Sequence, residues 1–145
     1  MKVRYLTMSE VLTILQDQIR RYGGRYAVRD PSLLSSALAM PSTSFEGKLL
    51  HEDIYAQAAA YAYHICQNHP FTDGNKRTAL STALVFLELN GIEIDDLKEE
   101  LYGMMMNVTT GKKSKKDTAS VLRRLGKSRQ EGRTKKNSSY FEWEK

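Results

Sequence analysis

From Thr7 to Gly126 the apolar residues of this chain recur at three- and four-residue spacing, between residues that start or stop helices. That pattern fits a helical bundle and little else. Thr7 and Glu10 stand at capping-box spacing before Val11, Ile14, Leu15, Ile19 and Tyr22, and Gly23-Gly24 closes the run. Asp30 as N-cap with Pro31 at the first helical position opens a second helix, whose stripe is Leu33, Leu34, Ala37 and Leu38 and whose stop is Pro41. Residues 42–51 carry no helical period and read as a loop or short hairpin. A third helix, roughly 52–68, shows Ile54, Ala58, Ala62 and Ile65 on one face. A fourth runs from about Asn75 to Leu89, with Leu80, Ala83, Leu84 and Leu87 inward and Asn90-Gly91 as its C-cap. After an extended piece, Ile92 to Ile94, Asp95 or Asp96 can cap a fifth helix carrying Leu97, Leu101, Met104 and Met105. Ser114 and Asp117 repeat the capping box for a sixth, with Ala119, Leu122 and Leu125, ended by Gly126. The fold class predicted is all-α: a compact bundle of about six helices in residues 1–126.

The chain's 145 residues suit one domain. A single cysteine, Cys66, excludes an internal disulfide framework and points to a reducing compartment. No apolar run approaches the roughly 18 residues of a membrane span, and Met1 to Leu6 lack the apolar core of a signal peptide. A cytoplasmic protein with no membrane partner is expected. The net charge of +5 is uneven: up to residue 110 there are ten Lys and Arg against thirteen Asp and Glu, and from Gly111 onward twelve against four. Residues 127–145 lack a period and stay polar and basic until Tyr140, Phe141 and Trp143, so they read as a separate extension, disordered or a docking segment. A basic end of this kind also leaves open a non-enzymatic nucleic-acid binder working through residues 111–136.

The stretch between the third and fourth helices holds the chemistry: His69-Pro70-Phe71-Thr72-Asp73-Gly74-Asn75-Lys76-Arg77. If Gly74 and Asn75 begin a helix, the unpaired N–H groups of its first turn and the helix dipole make an anion site. Arg77 can add bidentate contacts to phosphate, and Lys76 a point charge beside it. Asp73, just before the helix, is placed to hold Mg²⁺ against phosphate oxygens. His69 could take the proton from an attacking hydroxyl, as an imidazole can near neutral pH. A base, a metal carboxylate and a phosphate cradle are the parts of phosphoryl transfer. The same residues also suit a plain turn and cap between two helices, and spacing alone leaves both readings open. Two cations in a first turn do oppose the dipole, a conflict that a nearby anion would remove.

Other candidates are weaker. His51, His64 and His69 with Cys66 match no zinc spacing, so no structural metal is assigned. His64 reads as an ordinary core or surface histidine, Cys66 as a buried small residue, and Met104-Met105-Met106 as helix core.

The nine-residue run resembles the signature of the Fic/Doc superfamily, in form His-Pro-Phe-x-(Asp/Glu)-Gly-Asn-(Gly/Lys)-Arg. Arg21-Tyr22-Gly23-Gly24, Arg29-Asp30-Pro31, Thr78-Ala79-Leu80 and Val85 to Gly91 are similar to the death-on-curing branch of toxins, and the likeness covers roughly residues 4–126. The resemblance implies a Fic/Doc-type helical catalytic domain with His69 as general base. Asp73 would be the metal-binding or acceptor-orienting acid, and Gly74, Asn75, Lys76 and Arg77 the phosphate contacts. Phe71 would anchor the loop in the core, and Ser81 would be a small packing residue or touch phosphate. Fic adenylyltransferases carry Gly where this chain has Lys76 and a second Arg where it has Leu80. The Doc-like pattern implies a reversed nucleotide, ATP with Mg²⁺, whose γ-phosphoryl goes to a protein hydroxyl. AMP transfer by the same His69 is the alternative. A translation factor (elongation factor Tu) as substrate, a toxin–antitoxin system and a cognate antitoxin follow from the same resemblance. So does a target-aligning flap at residues 42–51.

Overall fold

Helix starts in the computed structural model, which describes residues 2–96 and 98–129, fall where the sequence supplies caps. α1 (Met8–Tyr22) opens on a complete capping box: the Thr7 side chain accepts from the Glu10 N–H, and the Glu10 carboxylate from the Thr7 N–H. α2 (Pro31–Ala39) has Asp30 as N-cap, accepting from Leu33 N. A single 3-10 turn, Met40–Ser42, absorbs Pro41 at its end. Residues 42–51 form a small antiparallel hairpin, β1 (Ser44–Phe45) with β2 (Lys48–Leu49), paired Ser44 to Leu49 and Phe45 to Lys48. α3 (Ile54–Asn68) is capped by Asp53 and α4 (Asn75–Leu89) begins after Gly74. β3 (Ile92–Ile94) precedes α5 (Glu100–Thr109), and α6 (Lys115–Leu125) opens on the second capping box, Ser114 with Asp117. Each such cap contributes about 1 kcal/mol.

α3 and α4 make the most extensive helix contact, and α6, α2 and α1 pack around them. The alanines of α3 (Ala58, Ala59, Ala60 and Ala62) are all fully buried, and they let neighbouring backbones approach closely. Tyr61 and Phe86 fill the centre with ring centroids 5.0 Å apart. The Tyr61 hydroxyl accepts the Leu6 N–H at 2.9 Å, and burial pushes its pKa up to about 12. The core is thus helix on helix, as the periodicity predicts.

Two boundaries differ from the sequence reading. The N-cap of α5 is Glu99 and the helix starts at Glu100, while Asp96 accepts from Glu100 and Leu101 N–H from three residues before the cap; Leu97 lies outside the described residues. The folded body also runs past Gly126: β4 (Gly126–Ser128) pairs antiparallel with β3, and the Arg129 N–H reaches the Gly91 carbonyl. A three-residue strand whose partner lies over thirty residues away leaves no helical period to read. Arg123, Arg124, Lys127 and Arg129 stand in ion pairs with Asp53, Glu100, Asp95 and Glu88, so part of the basic end is matched to the acidic body. Tyr140, Phe141 and Trp143 lie outside the described residues. No described helix is long and apolar enough to cross a membrane.

His51 and His64 come together with ring centroids 6.4 Å apart, and Lys115 Nζ donates to His64 Nε2 at 3.0 Å. Burial, then Lys115 and His51, pull the His64 pKa down from 6.5 to about 4; burial and then Lys115 pull His51 down as well. Unfolding returns both rings to ordinary behaviour, so below about pH 6.5 the unfolded chain binds more protons and stability falls as pH falls towards 4. Above 6.5 both states are neutral and the contribution is flat. The slope is at most about 1.4 kcal/mol per pH unit per histidine, and less for a ring that keeps solvent contact. Melting temperatures between pH 7.5 and 4.5 are expected to drop across this window, and His64→Gln to flatten the drop.

Candidate active site at the start of α4

α3 ends on His69, which takes the left-handed conformation (φ 51°, ψ 53°) as C-cap, its N–H still bonded to the Ile65 carbonyl at 3.2 Å. The chain then runs beside the segment before α2. Thr72 N–H donates to Ala27 O, Arg29 and Asp30 N–H donate to Pro70 O, and Val28 bridges to Phe71. Phe71 is fully buried, an anchor of about 1.5–3 kcal/mol for the loop. Gly74, at φ 80°, makes the left-handed turn into α4 that a residue with a Cβ resists.

The side chain of Asn75 is committed to the loop. It is buried, with Oδ1 accepting from Phe71 N–H at 2.9 Å and Nδ2 donating to Phe71 O at 2.8 Å. Those two bonds fix the orientation of the amide. Nδ2 therefore presents only hydrogen to His69 Nε2, 3.3 Å away, a contact in which Nε2 accepts when the ring carries its proton on Nδ1. An unprotonated Nε2 is what a general base needs. Asn75 thus offers an anion its backbone N–H alone.

Among the described residues no side chain caps α4, so the first-turn N–H groups from Asn75 onward find no partner there. They open on a cavity of about 550 Å³ that also exposes His69, Asp73, Lys76 and Arg77. Lys76 Nζ rests on the Met106 sulfur at 3.0 Å, a weak acceptor that a phosphate would readily outcompete. Arg77 Nη2 donates to Gly23 O at 3.0 Å, and its guanidinium lies over the Tyr22 ring, 5.5 Å from the centroid. Burial lowers the Arg77 pKa, with Asp73 opposing the shift, and an arginine stays charged throughout the physiological range. Asp73 Oδ2 accepts the Arg25 N–H at 2.7 Å. Gly24 (φ 113°) permits that approach, since a Cβ there would stand 2.9 Å from the Asp73 Cβ.

Among the described residues no three His, Cys, Asp or Glu side chains gather as a metal cluster. Asp73 offers one carboxylate, which fits Mg²⁺, an ion that takes its other ligands from phosphate oxygens and water. Ser81 is fully buried and makes no contact with the cavity. Met106 departs from the core reading: Met104 and Met105 are buried, while Met106 carries Lys76. The rest of the lining includes Tyr22, Tyr102, Thr109 and Cys66, which the sequence did not mark as site residues. Cys66 Sγ lies 3.3 Å from Thr109 Oγ1, and burial pushes the thiol pKa up. Asn75→Ala leaves both backbone groups of Phe71 without partners and is expected to cost about 1–3 kcal/mol of stability, read as a lower denaturant midpoint. Asn75→Asp keeps the acceptor only and should fall between.

The sequence model described as the Fic/DOC family matches residues 5–87. A protein named "Protein kinase doc", from Escherichia phage P1, is 31% identical over 126 residues, covering 85% of this chain and 96% of that protein. A protein named "Toxin Doc", from Mycolicibacterium smegmatis, is 37% identical over 90 residues, 62% of this chain and 67% of that one. With a mostly helical body, the signature loop turned into the start of α4 and a relative matched along nearly its whole length, this chain belongs to the Fic/DOC family.

Proposed function

We propose that this chain is a Doc-like toxin that transfers the γ-phosphoryl of ATP to a hydroxyl of a translation factor, elongation factor Tu being the expected target. It would arrest growth until a cognate antitoxin binds. The observation that carries the reading is the uncapped start of α4, opening beside an imidazole whose Nε2 faces the Asn75 amide. The names of the two relatives, one a kinase and one a toxin, support the same class, and a toxin implies an antitoxin. Lys76 stands where AMP-transferring relatives have Gly, and Leu80, where they have a second Arg, is fully buried and has no charge to offer a phosphate.

In this mechanism the acceptor hydroxyl gives its proton to His69 Nε2 as its oxygen bonds to the γ-phosphorus. The bond from that phosphorus to the β-phosphate bridging oxygen breaks and ADP leaves. The N–H groups of Asn75, Lys76 and Arg77, with the side chains of Lys76 and Arg77, orient the phosphates and offset charge on the transferring group. Asp73 would hold Mg²⁺, which when bound neutralises phosphate charge. The hairpin β1–β2 carries Phe45, 73% exposed, with Leu49 and Leu50 beside it, and both strands keep an outer edge without a partner among the described residues. An extended target segment could add there as a strand.

Incubating the full chain with purified elongation factor Tu, and in parallel with a cell extract, and with ATP labelled at either the α or the γ position tests the reading. Transfer of γ-label alone is expected, with His69→Ala slowing it by about 10²-fold or more. Transfer of α-label would establish adenylylation instead.

A further inference from the structure

We propose that Arg29 is a positioning residue for His69: its guanidinium holds the left-handed backbone turn from which the imidazole reaches Asn75 and the cavity. The inference rests on the reading of His69 as the base. His69 is one of three non-glycine residues with positive φ among the described residues, and a side chain with a Cβ does not keep that conformation unaided. Arg29 Nε and Nη2 both donate to the His69 carbonyl, at 2.8 and 2.6 Å, and Nη2 also reaches Asn68 O at 3.3 Å. The Arg29 N–H donates to the next carbonyl, that of Pro70, at 2.7 Å. One residue thus grips two successive carbonyls, one with its side chain and one with its backbone.

No carboxylate pairs with Arg29 among the described residues, so its charge is directed at the carbonyl end of α3, where the helix dipole favours a cation. Two donors on one oxygen is a geometry that the guanidinium fork supplies and a lysine ammonium does not reproduce. Arg29 does not line the cavity. It therefore acts through the orientation of His69 and touches no reacting atom. Without the grip, residue 69 is released to the right-handed or extended conformations its side chain prefers, and the ring leaves the Asn75 amide.

The test compares the parent, Arg29→Ala and Arg29→Lys as full chains, with two readouts. In ¹⁵N-histidine spectra the parent is expected to show His69 as the Nδ1–H tautomer with Nε2 unprotonated, and Arg29→Ala to show the averaged signals of a free imidazole. In the γ-label assay Arg29→Ala should lower kcat about 10–100-fold with KM for ATP held within about twofold. Arg29→Lys keeps the charge, loses the fork and should fall between on both. An Arg29→Ala chain that melts lower yet keeps the parent tautomer and kcat would make Arg29 a stability residue only and overturn the proposal. A parent chain that moves no label would overturn the phosphotransfer reading instead, and the tautomer comparison would still decide the hold on His69.

Discussion

The side-chain amide of Asn75 closes the turn between α3 and α4, and the geometry of the site depends on that closure. Both its heteroatoms are committed to the Phe71 peptide, which locks the loop to the first turn of the helix it precedes. Phe71 can then stay buried, and Gly74 can turn the chain without a capping side chain. The same amide aims a donor at His69 Nε2. One polar group thus ties loop conformation, helix start and the His69 ring together, which is why a buried, hydrogen-bonded amide belongs there.

Charge explains the rest of the arrangement. Lys76 and Arg77 sit in the first turn of α4, the positive end of the dipole, where cations are disfavoured. The fold relieves the conflict only in part: Lys76 is parked on a thioether and Arg77 on a carbonyl and a tyrosine face, with Asp73 near enough to stabilise its charge. A triphosphate would complete what the protein leaves open. Left-handed His69 is a further cost of the fold, which the two Arg29 bonds to its carbonyl offset.

Local signals made much of this visible in the sequence. Capping boxes at Thr7 and Ser114, Asp30-Pro31 and the Asn90-Gly91 stop marked helices because a cap is a bond between residues three or four apart. The loop was legible for the same reason, since its order alone places an imidazole, a carboxylate and two cations around one helix start. What escaped was set by tertiary packing. The rest of the cavity lining includes residues of α1, α3 and α5, separated by up to 87 positions between Tyr22 and Thr109. No spacing rule could bring Met106 to Lys76, β4 to β3 or Arg29 to His69. The bonds of the Asn75 side chain to the Phe71 peptide were hidden too, since they depend on how the loop folds back on the start of α4.

The account turns on the first turn of α4 receiving the nucleotide's phosphates. Titrating ¹⁵N-labelled protein with a non-hydrolysable ATP analogue and Mg²⁺ reads this directly from the amide signals. The account predicts that Gly74, Asn75, Lys76 and Arg77 move most and together, and that adenosine, which lacks phosphates, leaves them in place. Amide shifts confined to other surfaces, or equal shifts with adenosine, would contradict it.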